Sequence, residues 1–213
     1  MRIRWHGHSC FEISDGKTTI VTDPHDGRSL GIRPPSVSAD IVLISHDHYD
    51  HSASRVVNGN FKIFQSRIGR FESRGLQFNG IETYHDAARG TQRGLNTMYK
   101  FQMDGITVCH CGDLGAMPSS RVLNSISGVD ILFVPTGGIY TMESEEIEEF
   151  VRAVGPGVTV PMHYRVGGLT VPVRDIDYFL DMVTEESIRY VGNCTDVTRD
   201  ELPEYKECWV FDR

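Results

Sequence analysis

The sequence predicts a mixed α/β sandwich, and three observations carry that expectation. Short apolar runs rich in β-branched residues recur along the chain, and Ile41-Val-Leu-Ile44 is continuous enough for a strand buried on both faces. Turn signals such as Asp15-Gly16 separate the early runs. Helical periodicity appears only late, at Ile147, Phe150, Val151 and Val154 and again at Ile176, Phe179, Leu180 and Val183. Such a mixture favours sheets stacked in layers with helices outside, although periodicity leaves the topology open.

Taken in order, residues 2–5, 11–13 and 18–22 read as three short strands of a meander, with His6-Gly-His8 and Asp15-Gly16 at the turns. Residues 26–38 are rich in Gly, Pro and Ser and predict a loop overhanging a site. The buried strand at 41–44 follows, then strands at 61–64, 80–83, 98–103, 106–111 and 131–134. Ser144 is the expected cap of the first helix, whose acidic run from residue 143 to 149 reads as a solvated face near a helix N-terminus. Asp175 stands near the start of the second helix, and strands return at 158–161, 188–191 and 208–211.

The chemistry concentrates in Ser45-His-Asp-His-Tyr-Asp-His51, on the loop leaving the buried strand. His46, His48, Asp50 and His51 offer four ligands there, and a rigid strand end lets several side chains turn toward one point. Imidazole nitrogen and carboxylate oxygen suit Zn²⁺, Mn²⁺ or Fe²⁺. The cluster reads as half of a two-metal site; the bland alternative is a polar loop that happens to hold three histidines.

His-x-His-x-Asp-His after a buried strand resembles the signature of the metallo-β-lactamase superfamily. That resemblance implies a four-layer αββα sandwich and three downstream ligands: His85 in Glu82-Thr-Tyr-His85, Asp113 in Cys109-His-Cys-Gly-Asp113, and His163 in Val160-Pro-Met-His163. Carried over, it assigns His46, His48 and His85 to a first divalent metal ion, Asp50, His51 and His163 to a second, and Asp113 as the bridge. Zinc is the expected metal, with manganese or iron as alternatives. Gly7-His-Ser-Cys-Phe11, Thr22-Asp-Pro24, Pro135-Thr-Gly-Gly138 and Tyr140-Thr-Met142 resemble the branch that includes ascorbate-6-phosphate lactonase and many small metal-dependent hydrolases.

What the resemblance implies for chemistry is hydrolysis by a hydroxide bridging two metals, with Asp113, Asp50 and His8 as the catalytic candidates. The residual positive charge of such a centre favours a small anionic ester, lactone or phosphate-bearing substrate. Redox-active di-iron relatives carry glutamate at the second position of the cluster; here it is His48, which favours hydrolysis. Asp23 matches an acidic position that orients the histidine loop. A phosphodiesterase or nuclease is the enzymatic rival, and a non-catalytic metal-binding protein on the same fold is the other.

Length and composition bound these readings. The 213 residues contain no Pro/Gly/Ser-rich linker or repeat, and the ligands run from residue 46 to residue 163, so one domain over residues 1–213 is expected. A net charge of −8 without basic tracts argues against nucleic acid as partner. No apolar run reaches membrane-spanning length and the N-terminus reads as a strand, so a cytoplasmic location is the default expectation; oligomeric state stays open. Cys10, Cys109, Cys111, Cys194 and Cys208 do not form a disulfide pattern, and Cys109 and Cys111 read as core thiols rather than as a Cys-x-Cys metal pair. Arg89 and Arg93 after His85, and Tyr164 and Arg165 after it in the His163 segment, are candidate contacts for phosphate or carboxylate. Tyr140 is a candidate proton donor or pocket wall, with plain packing as the bland alternative, while His6, His25 and His110 lean structural.

Overall fold

A computed structural model of the chain describes residues 1–212. It opens with an antiparallel meander, β1 (Arg2–Gly7), β2 (Cys10–Ser14) and β3 (Thr19–Thr22), as the turn signals predict. The apolar run forms β4 (Ile41–Ile44), parallel to β3 and buried at all four positions, and β5 (Lys62–Gln65) pairs parallel beyond it. With β13 (Cys194–Asp196) these strands make a six-stranded sheet in the order β13-β1-β2-β3-β4-β5. The second sheet has eight strands. They are β6 (Gly69–Ser73), β7 (Leu76–Tyr84), β8 (Leu95–Met103), β9 (Ile106–His110), β10 (Ile131–Pro135), β11 (Val158–Met162), β12 (Ile188–Gly192) and β14 (Glu207–Phe211). Their order is β12-β14-β11-β10-β9-β8-β7-β6.

Alternation along the strands sorts side chains between two apolar layers. Ile3, Trp5, Phe11, Ile13, Ile41 and Leu43 face inward from the first sheet, meeting Phe101, Val108, Phe133, Val160 and Trp209 from the second. Each such buried side chain contributes about 1.5–3 kcal/mol relative to exposure. The opposite parity of the second sheet, including Leu132 and Val134, packs under the helices α1 (Ser120–Ile126), α2 (Ser144–Val154) and α3 (Asp177–Leu180). Cys109, Cys111 and Cys208 lie buried in this layer, as core thiols. Outside the first sheet, Val21, Val42 and Ile44 are covered by Val37, Ala39 and Val57, so this outer layer is loop and a 3₁₀ turn (Ser54–Val56) instead of α-helix.

Three local expectations are corrected. Ser144 is not the cap of α2: its hydroxyl is buried, and Glu143 occupies the cap with its N–H donating to the Glu146 carboxylate at 3.0 Å. The second helix is a single α-turn, because the Met182 and Val183 N–H groups bond three residues back, to Phe179 and Leu180, in 3₁₀ fashion. Its apolar positions still serve, with Phe179 buried and Ile176, Leu180 and Val183 packed against the same core. The strand expected at 80–83 is the end of β7, which forms a hairpin with β6 through Arg74-Gly75, both at positive φ. β6, β13 and α1 were not expected: they are short, polar on one face and poorly periodic.

Candidate metal centre

Each candidate side chain follows the C-terminal end of a strand. His8 follows β1, Asp23 follows β3 and His46 to His51 follow β4; His85, Asp113 and His163 follow β7, β9 and β11. The first group belongs to one sheet and the second to the other, and both edges open on the same cleft. His8, Asp23 and His163 have φ of 54°, 40° and 58°. Left-handed backbone at a non-glycine residue costs about 1–3 kcal/mol, and here it turns the chain sharply where each strand ends. The His163 N–H donates to the His8 carbonyl at 3.2 Å, tying the two sheets at that point.

The side chains converge in overlapping sets. Ligand atoms of His46, His48 and His85 lie within 4.8 Å of one another, and so do those of His8, Asp50, His51 and His163. Asp113 stands between the two sets: its Oδ2 is 3.9 Å from His46 Nε2, 3.4 Å from His85 Nε2, 3.2 Å from His51 Nε2 and 3.1 Å from His163 Nε2. The buried Nε2 of His46, Nε2 of His51 and Oδ1 of Asp113 have no hydrogen-bond partner among the described residues. Buried polar atoms left this way cost about 1–3 kcal/mol each, and inward-facing lone pairs beside a carboxylate are the donor set of a divalent cation. The residues therefore fit a metal.

Proton positions around Asp23 sharpen that fit. The buried Asp23 carboxylate accepts the Ser45 N–H at 2.7 Å, the Ser45 hydroxyl at 2.7 Å and His51 Nδ1–H at 3.0 Å. Because Ser45 spends its proton on Asp23, its oxygen accepts from His46 Nδ1 at 2.9 Å. Both histidines thus carry a proton on Nδ1 and turn Nε2 into the cleft, as a lone pair on His46 and, on His51, as the nitrogen whose proton an incoming cation would displace. Burial would raise the Asp23 carboxyl, but His51 and the neighbouring histidines hold it below the ordinary range. Burial holds His46 down at about 3; it also opposes a charge on His51, yet Asp113 and Asp50 overcome it and pull that imidazole well above its ordinary value. A ring of carboxylates that retains a proton on a fully buried histidine is a place that attracts positive charge.

Asp50 accepts from His8 Nε2 at 3.1 Å, and His8 is wholly buried behind it, its charge suppressed to about 3 by burial and by His163. His110 is satisfied on both nitrogens: Nε2–H donates to the Ser9 carbonyl at 3.0 Å and Nδ1 accepts the Gly112 N–H at 3.2 Å. His25 faces the His6 carbonyl at 3.1 Å, and His6 pairs with Glu12 at 3.1 Å, so neither joins the cluster. Two contributors escaped sequence reasoning. Asn96 accepts the Asp113 N–H at 3.0 Å while its amide donates to Thr83 Oγ1 and the Cys111 carbonyl, both at 2.8 Å. Gly112 (φ 54°) passes so close that a Cβ would meet Asn96 Oδ1 at 2.3 Å and Ser45 Cβ at 2.5 Å; only glycine lets the Asp113 segment reach β4.

A pocket of about 210 Å³ opens over the cluster, with His48, Asp50, His85, Asp113 and His163 at its floor. Arg93, Tyr140 and Tyr49 form one part of its wall, Val171 and Pro172 another. Of the polar candidates, Arg93 reaches it; Arg89 and Arg165 do not line it, and Tyr164 is a core residue whose hydroxyl donates to the Phe211 carbonyl at 2.9 Å. The loop at 26–38 does not overhang the site. It buttresses it, since Leu30 and Ile32 pack with Leu169, Val171 and Val173 behind the pocket wall.

Known proteins are similar to this chain to different depths. A protein of Thermoplasma acidophilum named as a metal-dependent hydrolase is 28% identical over 188 residues, covering 77% of this chain and 83% of its own. Another with that name, from Methanoculleus marisnigri, is 30% identical over 188 residues, covering 77% and 81%. The crystal structure of a Thermotoga maritima protein, described as a candidate zinc-dependent hydrolase of the metallo-β-lactamase superfamily, aligns with a TM-score of 0.81 at 34% identity, over 99% of this chain and 97% of that one. A family model described as the β-lactamase superfamily domain matches residues 2–163. With a match that runs from the first strand to His163, where the last of the clustered histidines stands, the chain belongs to the β-lactamase superfamily.

Proposed function

We propose that this metal-dependent hydrolase cleaves a small anionic ester, lactone or phosphate-bearing compound at a dinuclear centre. The observation that carries the reading is the position of Asp113 Oδ2, within 3.9 Å of four histidine nitrogens drawn from both ligand sets. His46, His48 and His85 would hold one divalent ion and Asp50, His51 and His163 the other, with Asp113 between them. Zinc suits the nitrogen-rich set, and manganese or iron would also be accepted. Bound there, the pair supplies a water that ionises near neutral pH and a Lewis acid for the attacked carbonyl or phosphoryl group.

The chain's own residues do the rest. Asp23 fixes the tautomers of His46 and His51, Asn96 holds the Asp113 backbone, and His8 orients Asp50 through the bond at 3.1 Å. His8 acts on the reaction through Asp50 and does not itself reach the pocket. Val171 and Pro172 give the pocket an apolar side, and the pocket is open for a small molecule. The naming of relatives as metal-dependent hydrolases supports the reading.

Metal content per chain, followed by a screen of lactones, esters and phosphate esters, tests it with Asp113→Asn and His48→Ala alongside. Turnover should fall at least a hundredfold in both variants; unchanged turnover in both would sink the mechanism. Cleavage of bis(p-nitrophenyl) phosphate or oligonucleotides without lactone or ester cleavage would reassign the enzyme as a phosphodiesterase.

A further inference from the structure

The position of Arg93 is set by the same short loop that carries His85. Asp86, the next residue, accepts four backbone N–H groups: Ala88 at 2.8 Å and Gly90 at 3.0 Å on one oxygen, Gln92 at 3.1 Å and Arg93 at 2.7 Å on the other. The loop is closed by His85 N–H to the Gly94 carbonyl at 3.1 Å and Gly94 N–H to the Gly90 carbonyl at 3.0 Å. Arg93 is therefore held at a set distance from the His85 end of the cluster by a carboxylate whose oxygens are already engaged with backbone.

Its side chain lies over the Tyr140 ring, with the guanidinium carbon 4.6 Å from the centroid, and both residues line the pocket. This cation–π contact restrains the guanidinium and leaves its N–H groups available to an anion. No carboxylate among the described residues forms an ion pair with it. The contrast is Arg174, on the neighbouring loop, which is paired with Glu143 at 2.5 Å and lies over Tyr178. Arg93 is exposed, so its guanidinium is hydrated in the free pocket and open to an entering anion, which would exchange that water for a charge-assisted pair.

We infer that Arg93, stacked on Tyr140, anchors a carboxylate or phosphate of the substrate separate from the group attacked over Asp113, so that the enzyme selects compact molecules with two polar ends. The inference rests on the reading of the pocket as the substrate site. One anionic or polarised group faces the cluster floor, a second takes the guanidinium edge in a two-point hydrogen bond, and the stretch between them runs along Val171 and Pro172. Molecules with a single anionic end lack the second contact.

Binding by the full, zinc-loaded chain tests this independently of turnover. Isothermal titration with acetate, succinate, glutarate and 3-phosphonopropionate is repeated on Arg93→Met, Arg93→Lys and Tyr140→Leu, with melting temperatures reporting the fold. In the unaltered protein the best two-ended probe should bind at least tenfold more tightly than acetate. Arg93→Met should abolish that preference, while Arg93→Lys and Tyr140→Leu should keep part of it. A phosphonopropionate lead over the dicarboxylates that disappears in Arg93→Met would assign the anchor to phosphate, a dicarboxylate lead that disappears there would assign it to carboxylate, and equal binding lost there would show an anchor that accepts either. Equal binding of acetate and every two-ended probe, or a preference that survives in Arg93→Met, would overturn the anchor. A preference intact in a protein that cleaves no ester, lactone or phosphate ester would leave the anchor standing and remove the hydrolytic reading instead.

Discussion

Replacing Asp23 by Asn exchanges one buried oxygen for an NH₂ group and should reverse the proton on two histidines at once. The Asn carbonyl oxygen can still accept the Ser45 N–H, and Asn tolerates the positive φ of 40° at least as well as Asp, so no backbone strain is added. The new NH₂ meets Ser45 Oγ and His51 Nδ1, which both now donate to the carboxylate. His51 must then accept on Nδ1 and carry its proton on Nε2, facing Asp113. Ser45, freed from donating to residue 23, can donate to His46 Nδ1 and put that proton on Nε2 as well. Charge-assisted bonds of this kind contribute roughly 1.5–3 kcal/mol each, so the metal-free protein should lose about 2–4 kcal/mol. Zinc affinity should fall about 10–100-fold, as for other partners of metal-bound imidazoles. Competition against a chromophoric chelator measures the affinity, and denaturation with and without zinc measures the stability. Ser45→Ala removes only the relay to His46 and should cost less than Asp23→Asn. Wild-type zinc affinity in a folded Asp23→Asn protein would refute the argument.

Three further outcomes follow from the same geometry. Zinc uptake at pH 7 should release about one proton from His51, which burial opposes but Asp113 and Asp50 keep charged in the metal-free chain; heats independent of buffer ionisation would contradict this. Acid should destabilise the metal-free protein from about pH 6.5 down to about 3. Folded His8 and His46 are held at about 3 while unfolded histidine titrates near 6.5, so their contribution is complete above 6.5 and is lost progressively below it. His51 has the opposite sign: its contribution is full below 6.5 and lost as pH rises through its raised value, and flat stability across pH 3–6.5 would count against this balance. Asn96→Ala should cost about 2–4 kcal/mol and loosen zinc retention, because the Asp113 N–H and Cys111 carbonyl lose their buried partner; chemical denaturation and chelator challenge read both.

The legible parts of this fold were those whose signal is local. β4 could be read from four consecutive apolar residues, and α2 from apolar positions that end buried as Ile147, Phe150 and Val154. The histidine cluster was legible because His46, His48, Asp50 and His51 crowd one loop, whereas His85, Asp113 and His163 needed a family pattern to be associated with it. Asn96 was invisible because its role depends on two chain segments meeting it in space, Thr83 on one side and Cys111 to Asp113 on the other. The separation of Arg93 from Arg89 and Arg165 was equally out of reach: all three stand near a clustered histidine in sequence, and only the Asp86-bound loop and the Tyr140 ring bring one of them to the pocket. The weak second helix misled for a related reason, since apolar spacing reports burial and does not report whether the backbone tightens to 3₁₀.

The clustered side chains straddle the seam between the two sheets, and that seam has a kinetic meaning. His46, Asp50 and His51 ride on the six-stranded sheet, and His85, Asp113 and His163 on the eight-stranded one. Ions gripped from both sides would act as a rivet that must be withdrawn before the sheets can part. Such a rivet forms only after the sheets have docked, so it should leave the rate of folding nearly untouched and slow unfolding in proportion to the binding energy. Endurance in the cell would then track the supply of metal, and a starved protein would become open to proteolysis along the seam before its helices were disturbed.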